Sequence, residues 1–284
     1  MVRTGRSSTT ASDAAASVVR REPGILHPTE AARRFDYRRH VPDERLVDYV
    51  ENFWTITWDL RGQAPFTAHV LPYPSVNATV TNEQADVTGL VRRRYDRELV
   101  GLGYVVGARF RPGCFRPFLR SSVSRLTDTH RPISAVLGRD TADLQRSVAA
   151  SADREERVEL LTRFLLEEPP VPDPTATMLA RLVDQISVRT DITRVDQVAA
   201  LARVSVRRLQ RLFVDYVGAG PKGVILRCRL QDIAARAAGD PAPDWAALAS
   251  ELGFADQAHL TRAFSRTVGT PPATYAARVR SHLS

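Results

Sequence analysis

Lysine is nearly missing from this 284-residue chain: Lys222 stands alone, and arginine makes up the rest of the 40 basic residues. Against 32 acidic residues they leave a formal charge of +8. Cysteine is scarce as well. Cys114 and Cys228 lie far apart, with no second cysteine or histidine at metal-ligand spacing, which speaks against a disulfide framework and a zinc site. His27, His40, His69 and His130 are scattered without an H-x-H pattern, so no metal site is expected. No apolar run approaches the ~18 residues of a membrane span, and the first residues lack a signal-peptide core. The expected location is the cytoplasm. No P-loop, glycine-rich nucleotide motif or Ser/His/Asp constellation appears, so neither a catalytic residue nor a cofactor is expected. What remains, 43% hydrophobic and 25% charged residues, is the composition of a globular protein long enough for two domains.

The informative stretch is Thr193 to Arg280, where one unit is written twice. Shifted by 51 residues, Leu201–Val224 falls on Leu252–Tyr275 with seven identities, Leu201/Leu252, Leu209/Leu260, Arg211/Arg262, Phe213/Phe264, Val217/Val268, Gly218/Gly269 and Pro221/Pro272. Each copy has helix-turn-helix grammar. In the first, Thr193 opens a capping box in which Asp196 reaches back to the free amides. Val195, Val198, Ala199 and Ala202 then share one helical face. Ser205 caps a second helix with Val206, Leu209, Leu212, Phe213 and Tyr216 inward, ended by Gly218. Arg207, Arg208, Gln210 and Arg211 are left outside, a set suited to a major groove because arginine pairs with guanine and glutamine with adenine. In the second copy Asp244 caps a helix with Ala246, Leu248, Ala249 and Leu252 inward, and Gly253 turns the chain. Asp256 caps the next, with Leu260, Ala263, Phe264 and Val268 inward and Gln257, Ala258, His259, Thr261, Arg262 and Arg266 outside. An amphipathic helix over Val224–Ala238 joins the copies. From Asp173 onward fifteen basic residues face ten acidic ones, so this smaller part carries most of the positive surplus.

The tandem units, the turn Gly218-Ala-Gly-Pro221-Lys222, the turn Leu252-Gly253-Phe254 and the closing Gly269-Thr-Pro-Pro272-Ala-Thr-Tyr275 resemble the DNA-binding domain of AraC-type transcriptional regulators. The resemblance covers about the last hundred residues. It implies double-stranded DNA as partner and two parallel recognition helices in successive major-groove segments, about 34 Å apart. The base-facing positions it implies are Arg207, Gln210 and Arg211, then Ala258, Thr261 and Arg262. Ala258 stands where relatives often carry a polar residue, so the second helix is expected to read less sequence. Arg203 stands where relatives often carry glycine. A left-handed conformation costs arginine roughly 1 kcal/mol, so that turn is expected to differ in shape.

Ahead of this unit, residues 1–24 are Ser/Thr/Ala/Arg-rich and are expected to form a disordered tail. Pro42–Val50 opens as a short helix. Short runs at Phe53–Leu60, Phe66–Leu71, Ser75–Thr81, Ala85–Arg92, Arg94–Val100 and Tyr104–Phe110 then predict a β-rich barrel or sandwich. Helices follow over Phe115–Arg120, Val123–Leu126, Ile133–Leu137, Thr141–Ala149 and Arg154–Glu167. The fold class is therefore α+β, with a β-rich domain over 25–167, a proline-rich linker at 168–175 and an all-α domain over 176–284. The blocks HVLPYPSVNATVT and VVGARFRPGCFRPFL resemble an uncharacterised β-rich N-terminal domain of bacterial AraC-type regulators. In the superfamily such domains are often cupin-like barrels that bind a small effector or form homodimers, which implies a sensor here. The residues able to meet an effector are Trp54, Trp58, His69, Tyr73, Asn77 and Arg109, with Arg111 beside them.

The resulting expectation is a sequence-specific regulator, commonly an activator acting with RNA polymerase. Two alternatives stand beside it. One is a DNA-repair protein with Cys114 as methyl acceptor, and the other is an architectural DNA binder without an effector.

Overall fold

The computed structural model describes residues 24–239 and 243–281. The expected tail, residues 1–24, lies outside them except for Gly24. A short helix α1 (Pro28–Ala32) precedes strands β1 (Asp36–His40), β2 (Val50–Leu60), β3 (Phe66–Val70), β4 (Asn77–Thr81), β5 (Ala85–Thr88), β6 (Tyr95–Leu99), β7 (Gly101–Phe110) and β8 (His130–Pro132). Six of them form an antiparallel sheet in the order β1-β2-β7-β4-β5-β8, while β3 pairs with β6 separately. The β-rich half is thus a sandwich whose sheet does not close into a barrel.

The run Phe53–Leu60 carries large apolar side chains on both faces of β2, and of the Thr55, Thr57 and Asp59 that alternate with them only Asp59 is exposed. Phe53, with Val106, Ala108 and Phe110, packs under helices α3 (Ala142–Ala150) and α4 (Arg154–Glu167). Ile56, Trp58 and Leu60 pack against Phe66, Ala68 and Leu99 of the small sheet. Gly103 and Gly107 stand opposite Trp58 and Trp54, where a Cβ would lie 2.2 and 2.4 Å from the indoles. Glycine is needed there for room. Pro42–Val50 forms turns rather than a helix; its bonds, from Leu46 N–H to Asp43 O and from Tyr49 and Val50 N–H to Leu46 O, close separate turns and do not propagate. Phe115–Arg120 shortens to a 3-10 helix over Arg116–Phe118, and Val123–Leu126 keeps its bounds as a 3-10 helix. Helix α2 (Ile133–Leu137) completes this half.

Residues 168–173 carry no helix or strand, and Asp173 then caps α5 (Pro174–Val188) by accepting from the amides of Thr175 and Ala176. The helix-turn-helix units follow: α6 (Val195–Leu201) and α7 (Val206–Val217), the connecting α8 (Pro221–Gly239), α9 (Trp245–Glu251) and α10 (Gln257–Val268), then α11 (Pro272–Ser281). Gln197, not Asp196, caps α6, its Oε1 accepting from the amides of Thr193 and Arg194 at 3.0 and 2.9 Å. Asp196 instead pairs with the Arg194 side chain. Ala246 is exposed, because the inward face of the seven-residue α9 has room for only Leu248 and Ala249 within the helix.

The repeat carries two offsets. Helices α7 and α10 are related by 51 residues, but α6 and α9 by 50, because one more residue separates Gly253 from Asp256 than Arg203 from Ser205. Leu201 and Leu252 are therefore not equivalent. Leu201 is 42% exposed and Leu252 is 2% exposed, and Ala202 takes the place of Leu252. Arg203 corresponds to Gly253 and adopts the same left-handed turn, φ 52° against 76°. The turn keeps its shape and arginine bears the strain. Arg203→Gly is expected to raise stability by about 1 kcal/mol; a lowered melting temperature would contradict this.

Candidate nucleic-acid interface

Helices α7 and α10 owe their ends to side chains placed by the repeat. The Ser205 hydroxyl accepts the Arg208 amide at 3.3 Å, and the Asp256 carboxylate accepts the His259 amide at 2.6 Å. Gly218 and Gly269 end the helices in left-handed conformations. Leu209, Phe213 and Val217 anchor α7 in the core of the first unit, and Leu260, Ala263, Phe264 and Val268 anchor α10 in that of the second. Burying each such large side chain contributes about 1.5–3 kcal/mol. The opposite face of each helix is consequently pinned outward.

On those outward faces Arg207, Arg208, Gln210 and Arg211 are exposed, as are Gln257, Ala258, His259, Arg262 and Arg266; Thr261 is half-buried. Among the described residues, no carboxylate pairs with Arg207, Arg208, Arg211, Arg262 or Arg266. Elsewhere in the same half, Arg189, Arg194, Arg229 and Arg236 pair with Asp191, Asp196, Asp232 and Glu251 at 2.7, 2.8, 2.8 and 2.5 Å. Four arginines of this half are thus neutralised by carboxylates, whereas the five on the two helix faces are not. His259 differs from its neighbours: its ring packs edge-on against Phe254, and Nδ1 accepts the Ala255 amide at 3.4 Å.

The residues expected around an effector do not converge. Trp54, Asn77 and Arg109 share one patch, where the Trp54 indole N–H donates to Asn77 at 3.4 Å and Tyr37 stacks on Trp54. Trp58 donates to Val100 O and lines a cleft of about 500 Å³ with Leu102, Tyr104 and Arg157. The Arg157 guanidinium lies 3.6 Å over the Tyr104 ring and donates to Ser151 O, with no carboxylate partner among the described residues. His69 pairs with Asp96 at 2.7 Å and borders a second cleft of about 390 Å³. Tyr73 packs against the first helix-turn-helix core. Arg111 pairs with Asp184. Among the described residues, no three His, Cys, Asp or Glu side chains are grouped to hold a metal, and no helix is long and apolar enough to cross a membrane.

Cys114 is 1% exposed, donates its thiol to Ala176 O, and is pushed up to about 12 by burial. A thiol in that state is neither reachable by an alkylated base nor nucleophilic. Cys228 is likewise buried and pushed up to about 12. Iodoacetamide at mildly alkaline pH is expected to label neither thiol until the protein unfolds; rapid labelling of native Cys114, read by mass spectrometry, would contradict its burial.

Comparison with known proteins places a helix-turn-helix domain over residues 198–278 and a domain of unknown function, DUF6597, over residues 38–132. No curated protein matches the chain. Solved structures of ToxT from Vibrio cholerae are similar to it. An apo form is 12% identical over 80% of this chain and 97% of that one, with a TM-score of 0.39. A form bound to (E)-4-(8-methylnaphthalen-1-yl)but-3-enoic acid is 10% identical over 87% and 99%, with a TM-score of 0.41. A form bound to an unsaturated fatty acid is 9% identical over 89% and 95%, with a TM-score of 0.38.

Proposed function

We propose that this chain, whose residues 198–278 match a helix-turn-helix domain, is an AraC-type DNA-binding regulator and that α7 and α10 read two successive major-groove segments of a specific duplex. The observation that carries the reading is the set of five exposed arginines on these helices, each without an acidic partner among the described residues. An arginine already held by a carboxylate would have to break that pair before meeting DNA; these do not. Arg207, Gln210 and Arg211 contact bases from α7, and Thr261 and Arg262 from α10. Ala258 offers only a methyl-sized apolar contact, so the second segment is read through fewer hydrogen bonds. Arg208, Gln257, His259 and Arg266 hold the phosphate backbone and set register.

The same reading divides the chain at 168–175 into a modulating N-terminal domain and the DNA reader. A small effector sits in the cleft lined by Trp58, Tyr104 and Arg157, where an aromatic wall meets a guanidinium without a carboxylate partner among the described residues. The regulator acts as an activator through contact with RNA polymerase, the mode that the resemblance implies. Fluorescence anisotropy of labelled duplexes tests the core of this reading. Affinity for a selected site should exceed that for random duplex at equal salt by about a thousandfold or more. Equal affinities would leave an architectural binder instead.

A further inference from the structure

Both recognition helices end on the N-terminal domain, each through its last-turn or capping carbonyls and beside its closing glycine. At the end of α7 the Thr127 hydroxyl donates to Gly218 O at 2.7 Å, and the Ser122 hydroxyl donates to Asp215 O at 3.4 Å. Arg116 pairs with the Asp215 carboxylate at 3.4 Å. At the end of α10 the Arg94 amide donates to Thr267 O and its Nη1 to Val268 O, both at 3.0 Å. Gly218 and Gly269 are equivalent in the 51-residue offset. A Cβ would lie 2.9 Å from the Thr127 hydroxyl at the first and 3.1 Å from Arg94 Nη1 at the second. Last-turn carbonyls have no partner within their own helix, so a hydroxyl and a guanidinium placed there satisfy them and meet the negative end of the helix dipole.

The two contact points are joined to each other. Asp128, next to Thr127, accepts the Arg92 amide at 2.7 Å and its Nε at 2.5 Å, and the Asp128 amide donates to Leu90 O at 2.9 Å. Between them, Arg227 of the connecting helix α8 donates to Val91 O at 2.5 Å. Arg94 is itself held by Asp96, at 2.7 Å from Nε and 2.8 Å from Nη2. Residues 90–94 and 127–129 therefore form one bracket that touches the first unit, the connecting helix and the second unit in turn. Its foundation is rigid, because Val123 and Leu126 lie in the core of the β-rich half.

We propose that this bracket sets the spacing and tilt at which the two recognition helices meet DNA, with Arg94 and Thr127 as positioning residues. The inference rests on the DNA-reading assignment above. Helix α7 has 12 residues and is about 18 Å long, held at its C-terminal end, while Arg207, Gln210 and Arg211 lie toward its other end. A tilt of roughly 10° about the held end moves the free end by about 3 Å, close to the rise of one base pair, about 3.4 Å. Loosening the bracket therefore changes which spacing between the two DNA blocks is accepted, and leaves the side chains that read each block untouched.

The test uses the full chain and compares the wild type with Arg94→Ala, Thr127→Val and the two combined. Thr127→Ser, which keeps the hydroxyl, serves as the conservative variant. Random-duplex selection supplies the two-block site, and affinity is then measured on that site and on versions with one base pair added or removed between the blocks. Wild type and Thr127→Ser should lose about tenfold or more on altered spacing, and the combined variant less than about threefold, with base preferences inside each block unchanged. A spacing penalty that stays at wild-type size in the combined variant, even with affinity lowered on every duplex, overturns the bracket and assigns spacing to α8 alone. A wild type that enriches no two-block site overturns the DNA-reading assignment itself, and so is told apart from failure of the bracket.

Discussion

Arg229→Ala is expected to destabilise the DNA-reading half by about 3–5 kcal/mol, with the first helix-turn-helix unit melting first. Arg229 is 1% exposed within α8. Its Nη2 donates to Ile186 O, Arg189 O and Ile192 O at 2.9, 2.7 and 3.0 Å, tying α8 to the end of α5, and Nη1 meets Asp232 at 2.8 Å. Removing the guanidinium leaves three carbonyls without that donor and a carboxylate unpaired, beside a core that cannot admit water freely. Each orphaned group costs about 1–3 kcal/mol. Arg229→Met, which keeps much of the stem's volume, should lose nearly as much, since the defect is polar rather than a cavity. Thermal unfolding followed by circular dichroism checks this; a loss below about 1 kcal/mol for either variant would show that the carbonyls find other donors.

Arg211→Ala and Arg262→Ala should each weaken binding to the selected site by about 1–3 kcal/mol, roughly five- to 150-fold, without changing the melting temperature. Both side chains are exposed and, among the described residues, without an acidic partner, so nothing in the free protein depends on them. The two losses should differ in kind. Arg211→Ala relaxes base preference in the block read by α7, and Arg262→Ala in that read by α10. Arg208→Ala, by contrast, should weaken all sequences alike and lower the slope of log affinity against log salt by about one. Unchanged affinity and preference in Arg211→Ala and Arg262→Ala would remove these helices from the groove.

The repeat was legible because helix-turn-helix grammar is local. Ser205, Asp244 and Asp256 cap where their spacing from the apolar face requires, and Gly218 and Gly269 end the helices they follow. Strand β2 was legible from its aromatic and β-branched run, Phe53-Trp54-Thr55-Ile56-Thr57-Trp58. Edge strands β1 and β8 were not: Asp36–His40 and His130–Pro132 bury no apolar face, so nothing in their residues announces pairing. Two features needed the third dimension. The offset of 50 between α6 and α9 was hidden by the chance identity of Leu201 and Leu252, which only burial separates. The effector candidates looked alike in sequence, yet the sheet order sends Trp54, Asn77 and Arg109 to one patch, Trp58 to a cleft, and Tyr73 to the other half of the chain. Arg94 and Thr127 carried no local signal at all, since their partners lie 174 and 91 residues away.

The proposed function has α7 and α10 reading DNA together on one face of the duplex. Selection from random duplex DNA with the purified full-length protein, followed by sequencing, tests it most directly. Two helices on one face should enrich a two-block motif with centres about 10–10.5 base pairs apart and fewer specified bases in the block read by α10. A single block, or a pool indistinguishable from the starting library, would contradict it.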